Sequence, residues 1–546
     1  MKILMTVLSA VAVLATASLP AQDVGVMPDL KPAVYALQGA TVHTVSGEVL
    51  ENGTVLIRDG LIEAVGAGLE VRAEARRLDL SGMHVYPGLI DALTENGLMR
   101  EGREGDDSGR GQSSDNGEGP GLYSYVHAAD KLDEELSSKL SAWREAGVLT
   151  LHVAPADGIF MGQTAVVALN SSNDPDRMII RSPVAMRMSF EGLSGRTYPG
   201  SLMGVIAHIK QTLLDARHYG QAQRTYGENP AGLRRPETDR ALQALQPLVE
   251  GQMMAVFPAQ RAREIRRVLH LAEEFGIKAA VAGGFEGART AQELAQAGVP
   301  VLFSLDFPTQ PRDQHPDAEE SLAAIRYRVE APRAASQLVK AGVTVAFTSG
   351  GSRNARDFQE GLRKVVENGL SKEDALQAAT LNAARILGVD QQLGSIEKGK
   401  IANLVVADGD LFEQDTALKH VFVDGEKFDI ASKPKRKAPQ GDGQPVDFSG
   451  RWDVTVMAPD GNQQIEFDLQ ASSGALSGAV ISPSMGSVDI YDGSYTGNEF
   501  TFKITVDMGM GPTEITLSGT ASGNEIVGIA DVSGLGTAPI EGSKIP

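Results

Sequence analysis

The spacing of hydrophobic positions changes three times along the chain, and each change marks a boundary. Over residues 34–80 short apolar runs alternate with turn residues, as in Ala40-Thr41-Val42-His43-Thr44-Val45, which is the pattern of hairpins in a small sheet. Over residues 85–387 short apolar strands alternate with longer helical stretches, the βα alternation of a parallel sheet or barrel. Within it, residues 261–275 predict a helix, 276–282 a strand, 288–297 a helix and 299–303 a strand. A second unit places a helix over 331–340, a strand over 342–348 and helices from Arg356 and from Ser371, where Ser371 and Asp374 form an S-x-x-D start signal. Strand character returns at 402–407 and 420–425, so the small sheet is resumed after the barrel. Residues 448–546 are rich in glycine and serine, with short alternating strands every ~8–12 residues, which predicts a separate antiparallel barrel or sandwich.

Composition narrows the function classes. The 546 residues carry 70 acidic and 50 basic side chains, a net charge of −20 that repels phosphate backbones and anionic membranes, so nucleic acid is excluded as a partner. Cysteine is absent, which excludes disulfides, thiolate metal sites and cysteine nucleophiles, so any metal has to be held by His, Asp or Glu. Met1-Lys2, an apolar run over 3–14 and small residues at Ala15, Ala17 and Ala21 read as a cleaved signal peptide, residues 1–21. The expected location is the periplasm or the medium. No stretch approaches the ~20 apolar residues of a membrane span. Residues 431–446, with Lys433-Pro434-Lys435-Arg436-Lys437, read as a solvated linker.

Val85-Tyr86-Pro87-Gly88-Leu89-Ile90-Asp91 resembles the opening of the first barrel strand in the amidohydrolase superfamily. Residues 369–385 (GLSKEDALQAATLNAAR) resemble the helices after its last strand, and 394–406 (GSIEKGKIANLVV) its return into the small sheet. The resemblance covers residues 34–430 and is closest to the imidazolonepropionase-like branch, many of whose members are exported. It implies a TIM-like (β/α)8 barrel over 85–387, a composite β-sandwich from 34–84 and 388–430, and a separate C-terminal β domain over 447–546. Gly450-Arg451-Trp452 resembles the start of lipocalin-like barrels, with Trp452 read as a core aromatic.

The resemblance also implies a divalent metal, held by a His-x-His pair on the first strand, a His on the fifth, a His on the sixth and an Asp on the eighth. Here the pair positions are Leu93 and Glu95, and no His occurs over 278–308 or 341–353. Leu93 has no lone pair, and Gly or Ser does not replace imidazole as a ligand. No metal cofactor is therefore expected unless a site foreign to the family exists.

The polar residues left at the mouth are candidates with ordinary alternatives. Glu95 is either a ligand for a hard cation or substrate amine, or a solvated carboxylate. Asp306 shares that site or shapes a loop. His152, in the alternating strand 149–153, reaches the mouth or is a hydrogen-bonded core residue. Leu93, Gln163, Ser304 and Ser349 are expected to line the pocket, Gln163 because βα loops do so. His43, His84, His127, His208, His218, His270, His315 and His420 are scattered, with no spacing that sets two on one face. The expected function is a catalytically degenerate amidohydrolase that acts as a regulatory partner of an active paralogue, or that binds a small peptide-like or cyclic amide ligand. The alternative is an active hydrolase of carbon–nitrogen bonds with a rebuilt or metal-free site around Glu95, Asp306 and His152.

Overall fold

The computed structural model describes residues 34–99, 119–310, 320–430 and 446–545, apart from short breaks at 173, 194–196, 415, 459–460, 473, 483–485, 508–511 and 533–535. The expected signal peptide, His315 and linker residues 431–445 lie outside the described residues. The chain divides into two compact units, one ending at Ile430 and the other beginning at Ala431.

The first unit is built around a barrel wall. Leu89–Thr94, Val148–Val153, Ala185–Met188, Met254–Ala259, Lys278–Gly283, Val301–Ser304 and Val345–Thr348 run in the same direction. The remaining place is taken by Phe160–Gln163 and Ala165–Ala168, a run broken only at Thr164. It pairs antiparallel with Val148–Val153 on one edge and with Ala185–Met188 on the other. Only residues 154–159 connect it to the preceding strand, fewer than the roughly dozen residues a parallel crossover needs, so the chain has to double back. This corrects the expectation of uniform βα alternation. Val345–Thr348, moreover, pairs directly with Val301–Ser304, with no strand between them.

Alternation along each strand sorts the wall into two faces. Ile90, Ala92, Val166, Ala185, Val256, Ala280, Leu302 and Ala346 form an inner cluster. Leu149, Leu151, Val167, Phe257, Val281, Phe303 and Phe347 belong to the larger cluster between wall and helices. The helices are capped by their own sequence. Glu264 accepts from the main-chain N–H of Gln260 and Arg261 at the start of Ala262–Phe275, and Gly276 ends that helix with φ +57°. Ser371 accepts from Asp374 N at 3.0 Å, as the S-x-x-D signal predicts. The helix expected over 331–340 starts earlier, at Leu322 behind the Ser321 cap, and contains Pro332. Its front turns expose Leu322, Ile325 and Val329, which hides it from a search for one buried face.

Both flanks of the barrel feed one sheet of eight strands. Val34–His43, Val49–Arg58, Leu61–Ala67, Arg76–Asp79 and His84–Pro87 come from the front, and Leu404–Ala407, Leu418–Val423 and Glu426–Asp429 from the back. They join where Leu404–Ala407 pairs antiparallel with His84–Pro87. Its core includes Leu37, Val42, Val55, Ile57, Val85, Val406 and Phe422. Here the structure corrects the reading of the histidines as isolated. Thr41 faces His84 across parallel strands, which brings His43 Nε2 to 3.0 Å from His84 Nδ1 while the His43 ring stacks on Tyr86 at 4.2 Å. Burial, then the neighbouring His84, lowers the His43 pKa. Spacing along one strand carries no information about a partner on the next.

The second unit is a closed antiparallel barrel, so of the barrel and sandwich alternatives the barrel is the one adopted. Gly450–Ala458, Gly461–Ser472, Ala475–Ser482, Tyr491–Thr496, Glu499–Asp507, Pro512–Ser522, Glu525–Val532 and Gly536–Lys544 form the ring, with Gly486–Asp489 added on one edge. Closure comes from Gly450–Ala458 pairing with Gly536–Lys544, and from Gly461–Ser472 pairing with Ala475–Ser482. Phe448, Trp452, Phe467, Phe500 and Phe502 fill its interior. Trp452 is fully buried, and its indole N–H donates to the Phe448 carbonyl at 3.0 Å.

The reversal in the barrel wall turns on Gly158, whose φ is +91° and whose absent Cβ would lie 2.6 Å from the Tyr123 ring and 2.9 Å from the Gly121 carbonyl. Gly158→Ala is expected to destabilise this unit by about 2–3 kcal/mol, from the left-handed backbone plus contacts that cannot relax. Denaturant unfolding of the two proteins measures this directly, and a change below ~0.5 kcal/mol would show that the turn tolerates a side chain.

Candidate functional site

The C-terminal ends of the parallel strands carry the polar residues of the barrel. Leu89–Thr94 and Val345–Thr348 are edge strands of separate ladders, so side chains close the seam between them. The Thr348 hydroxyl donates to the Leu93 carbonyl. Ser349 N donates to Asp91 Oδ1 at 3.0 Å, and Leu93 N donates to the same oxygen at 3.3 Å. The Ser349 hydroxyl donates to the Thr94 hydroxyl at 3.3 Å. Asp91 is completely buried, and its Oδ2 has no hydrogen-bond partner. Burial pushes its carboxyl up to about 6, against the downward pull of the bonds from Ser349 and Leu93.

Glu95 lies one residue beyond the first strand, with Leu93 inside it. Its Oε1 accepts from Nη2 of Arg187 at 2.9 Å, the carboxylate being 57% exposed and the guanidinium only 12%. Arg187 belongs to Ala185–Met188, and its Nη1 donates to the carbonyls of Ala154 at 3.3 Å and Pro155 at 2.9 Å. Its Nε is buried without a partner. His152 lies fully buried in the same barrel, with Nδ1 2.6 Å from the Ala92 carbonyl and Nε2 2.6 Å from the Thr164 hydroxyl. A carbonyl only accepts, so Nδ1 carries the proton and the threonine donates to a bare Nε2. Burial pushes this imidazole down to about 4; the Ala92 carbonyl opposes the shift and the Arg187 charge adds to it.

The other expected pocket residues divide. Ser304 is buried and its hydroxyl accepts from Asp306 N at 3.2 Å, which places Asp306 at the strand exit. Burial raises the Asp306 pKa, against a bond from the Gly351 backbone. Leu93 packs with the inner cluster. Gln163 is engaged elsewhere: its amide donates to the Ser124 carbonyl at 3.1 Å and its backbone bridges to His127. Its neighbours Ala165 and Val167 face the outer cluster, as period-two alternation requires.

Arg187, Asp91 and Gln260 were not picked out from the sequence. The signal for the first two was present, because each is a charged residue inside an otherwise apolar strand. Gln260 carries a buried Oε1 with no partner. Its amide occupies the space of a side chain at Gly283, where an added Cβ would come within 2.5 Å of it. At Gly350 an added Cβ would meet the Ser304 hydroxyl at 2.4 Å.

These observations test the fit to a divalent ion. Leu93 offers no donor, Gly283 and Gly350 have their side-chain space filled by neighbours, and both nitrogens of His152 are engaged. Glu95 already neutralises a guanidinium. Among the described residues no three His, Asp or Glu side chains come together in a way that holds a metal. The donor set does not fit the metal of the family.

A barrel of this kind, with its mouth at the strand ends and a composite sheet drawn from both flanks, is the architecture of the metal-dependent amide hydrolases. The amidohydrolase family profile matches residues 252–432. Imidazolonepropionase from Geobacillus sp. (strain WCH70) is 25% identical over 398 residues, covering 66% of this chain and 84% of that protein. Imidazolonepropionase from Acidiphilium cryptum (strain JF-5) is 27% identical over 383 residues, covering 67% and 89%. The crystal structure of an amidohydrolase from Thermotoga maritima MSB8 superposes with a TM-score of 0.61 at 24% identity, covering 72% of this chain and all of that one. Together these matches support membership of the amidohydrolase superfamily.

Asp91 and His152 have opposite effects on stability as pH changes. His152 stays neutral when folded down to about pH 4 while the unfolded imidazole protonates near 6.5, so its contribution is lost as pH falls across that interval. Asp91 is protonated when folded below about pH 6 but when unfolded only below 3.8, so its penalty is full above pH 6 and fades as pH falls. Asp91→Asn keeps an acceptor for both N–H groups and removes that penalty. The variant is expected to be more stable than the parent by about 1–2 kcal/mol at pH 8, with no advantage near pH 4. Unfolding midpoints across pH decide the matter, and an advantage independent of pH would rule out a buried carboxylate as its source.

Proposed function

We propose that this is an exported member of the superfamily whose barrel mouth binds a small ligand without metal-assisted hydrolysis, and that it serves as a binding or regulatory partner of an active paralogue. The observation that carries the reading is the Arg187–Glu95 ion pair, made by the one acidic residue retained at a ligand position. An ion on Glu95 would compete with a guanidinium already there. Unit charges of like sign ~4 Å apart at an effective dielectric of ~20 repel by about 4 kcal/mol, and a dication doubles that. Export rests on the Met1-Lys2 and apolar leader pattern, and the partner role on the loss of ligands within a fold whose other members hydrolyse.

The test is metal content and turnover on the mature chain, purified without a metal-affinity tag and then exposed to zinc, manganese and calcium. The expected result is below ~0.1 equivalent of tightly held metal and no hydrolysis of cyclic amides or dipeptides above the buffer rate. Near-stoichiometric metal, or turnover abolished by Glu95→Ala, would overturn the reading in favour of a rebuilt hydrolase site that includes Asp306.

A further inference from the structure

The Arg187 guanidinium presents two edges, and they are used differently. Its Nη1 is fixed by two carbonyls, Ala154 and Pro155, at 3.3 and 2.9 Å. The opposite edge consists of Nε–H and the nearer N–H of Nη2, the parallel pair that a carboxylate matches with both oxygens. Glu95 takes only Nη2 of that pair, at 2.9 Å, and leaves Nε buried with no acceptor. A buried cationic N–H without a partner is costly, and most such groups in folded proteins are satisfied. Its counter-ion is the less enclosed of the two, a glutamate more than half exposed just beyond its strand. Among the described residues no other side-chain hydrogen bond or ion pair holds the Glu95 carboxylate, while the guanidinium is anchored. The pair is therefore built from a fixed receptor and a replaceable counter-ion.

We infer that Arg187 is the anion-recognition residue of the mouth, and that the ligand carries a carboxylate which displaces Glu95 and pairs with Nε and Nη2 together. This rests on the ligand-binding reading above and supplies its chemical class. A ligand of this kind completes the unsatisfied donor, whereas the corresponding amide leaves the cation facing a neutral group. Glu95 then acts as a latch that competes with weak anions and yields to one that fits the fork. The inner wall beneath, Ala92, Ala282 and Leu302, offers an apolar floor to the remainder of the ligand.

The probes are hippurate and hippuramide, which differ only in carboxylate against amide, titrated against the full mature chain by saturation-transfer NMR. Hippurate is expected to bind at least ~10-fold more tightly than hippuramide, the factor that a charge-assisted fork adds over a neutral contact. Removing the competitor in Glu95→Gln should tighten hippurate about 5–10-fold and leave hippuramide unchanged. Arg187→Lys, which keeps the charge but loses the fork, should weaken hippurate about 10-fold. Because Arg187 variants risk misfolding, the Glu95→Gln result decides. Equal binding of the two probes, no binding of hippurate up to about 20 mM, or no tightening in Glu95→Gln overturns the inference. Failure of the parent reading looks different: it is stoichiometric metal or hydrolysis, whatever the two probes do.

Discussion

Everything at the barrel mouth depends on how the wall is closed. The first strand and the last lie about 250 residues apart in sequence, and they meet without a backbone ladder. Four side chains do the joining: Asp91 takes the Ser349 and Leu93 N–H groups, Thr348 takes the Leu93 carbonyl, and the Ser349 hydroxyl meets that of Thr94. The closure therefore uses a carboxylate in a place without water, where its charge is expensive. An apolar residue there would leave two buried N–H groups unmet, which is expensive as well. The observed solution is a carboxyl with one oxygen doubly bonded by donors and the other bare, held between its charged and neutral forms near neutral pH.

That seam also fixes what the strand after it can do. With Leu93 drawn into the inner cluster and its carbonyl committed to Thr348, the chain leaves the wall at Glu95 and meets a cation reaching over from the antiparallel side. The reversal at Gly158 matters here. It brings the carbonyls of Ala154 and Pro155 to the guanidinium, because the short connection over 154–159 stays at the mouth instead of leaving with a crossover helix. The fold's one irregular stave and its one cationic anchor are thus parts of a single arrangement. His152 below it is kept neutral by burial and by that same charge.

How much of this was legible in the sequence depended on whether a feature is local. Caps such as Ser371 and the helix ending at Gly276 are written within four residues of each other, and they appear as read. The apolar period exposed the barrel, the composite sheet and the C-terminal β unit. It did not expose the reversed strand over 160–168, whose first residues, through Gln163, read as a loop after the second strand because Gly158, Gly162 and Gln163 break the apolar run. The long helix from Leu322 escaped because its front turns are exposed and Pro332 suggests a boundary. At the site, Leu93 and Glu95 were found because a family motif fixes them two residues apart. Arg187 sits 92 positions from its carboxylate, and His43 sits 41 from His84, and no spacing rule links either pair before the strands are placed.

The glycines beside the mouth do not leave holes in the barrel. Neighbouring polar groups occupy the space beside these positions: Gln260 at Gly283 and the Ser304 hydroxyl at Gly350, while Arg187 sits on Glu95. Each filling removes a void that would cost packing energy in a close-packed interior. None of them restores a lone pair aimed at a common point. Of the carboxylates there, Asp91 is buried and poised to protonate, Asp306 stands at the exit of its strand, and Glu95 is tied to a guanidinium anchored from behind. Under the binding reading proposed above, the anchored Arg187 guanidinium, and not the charge of the mouth as a whole, is the group that receives an anion, because its fork has one N–H left without an acceptor.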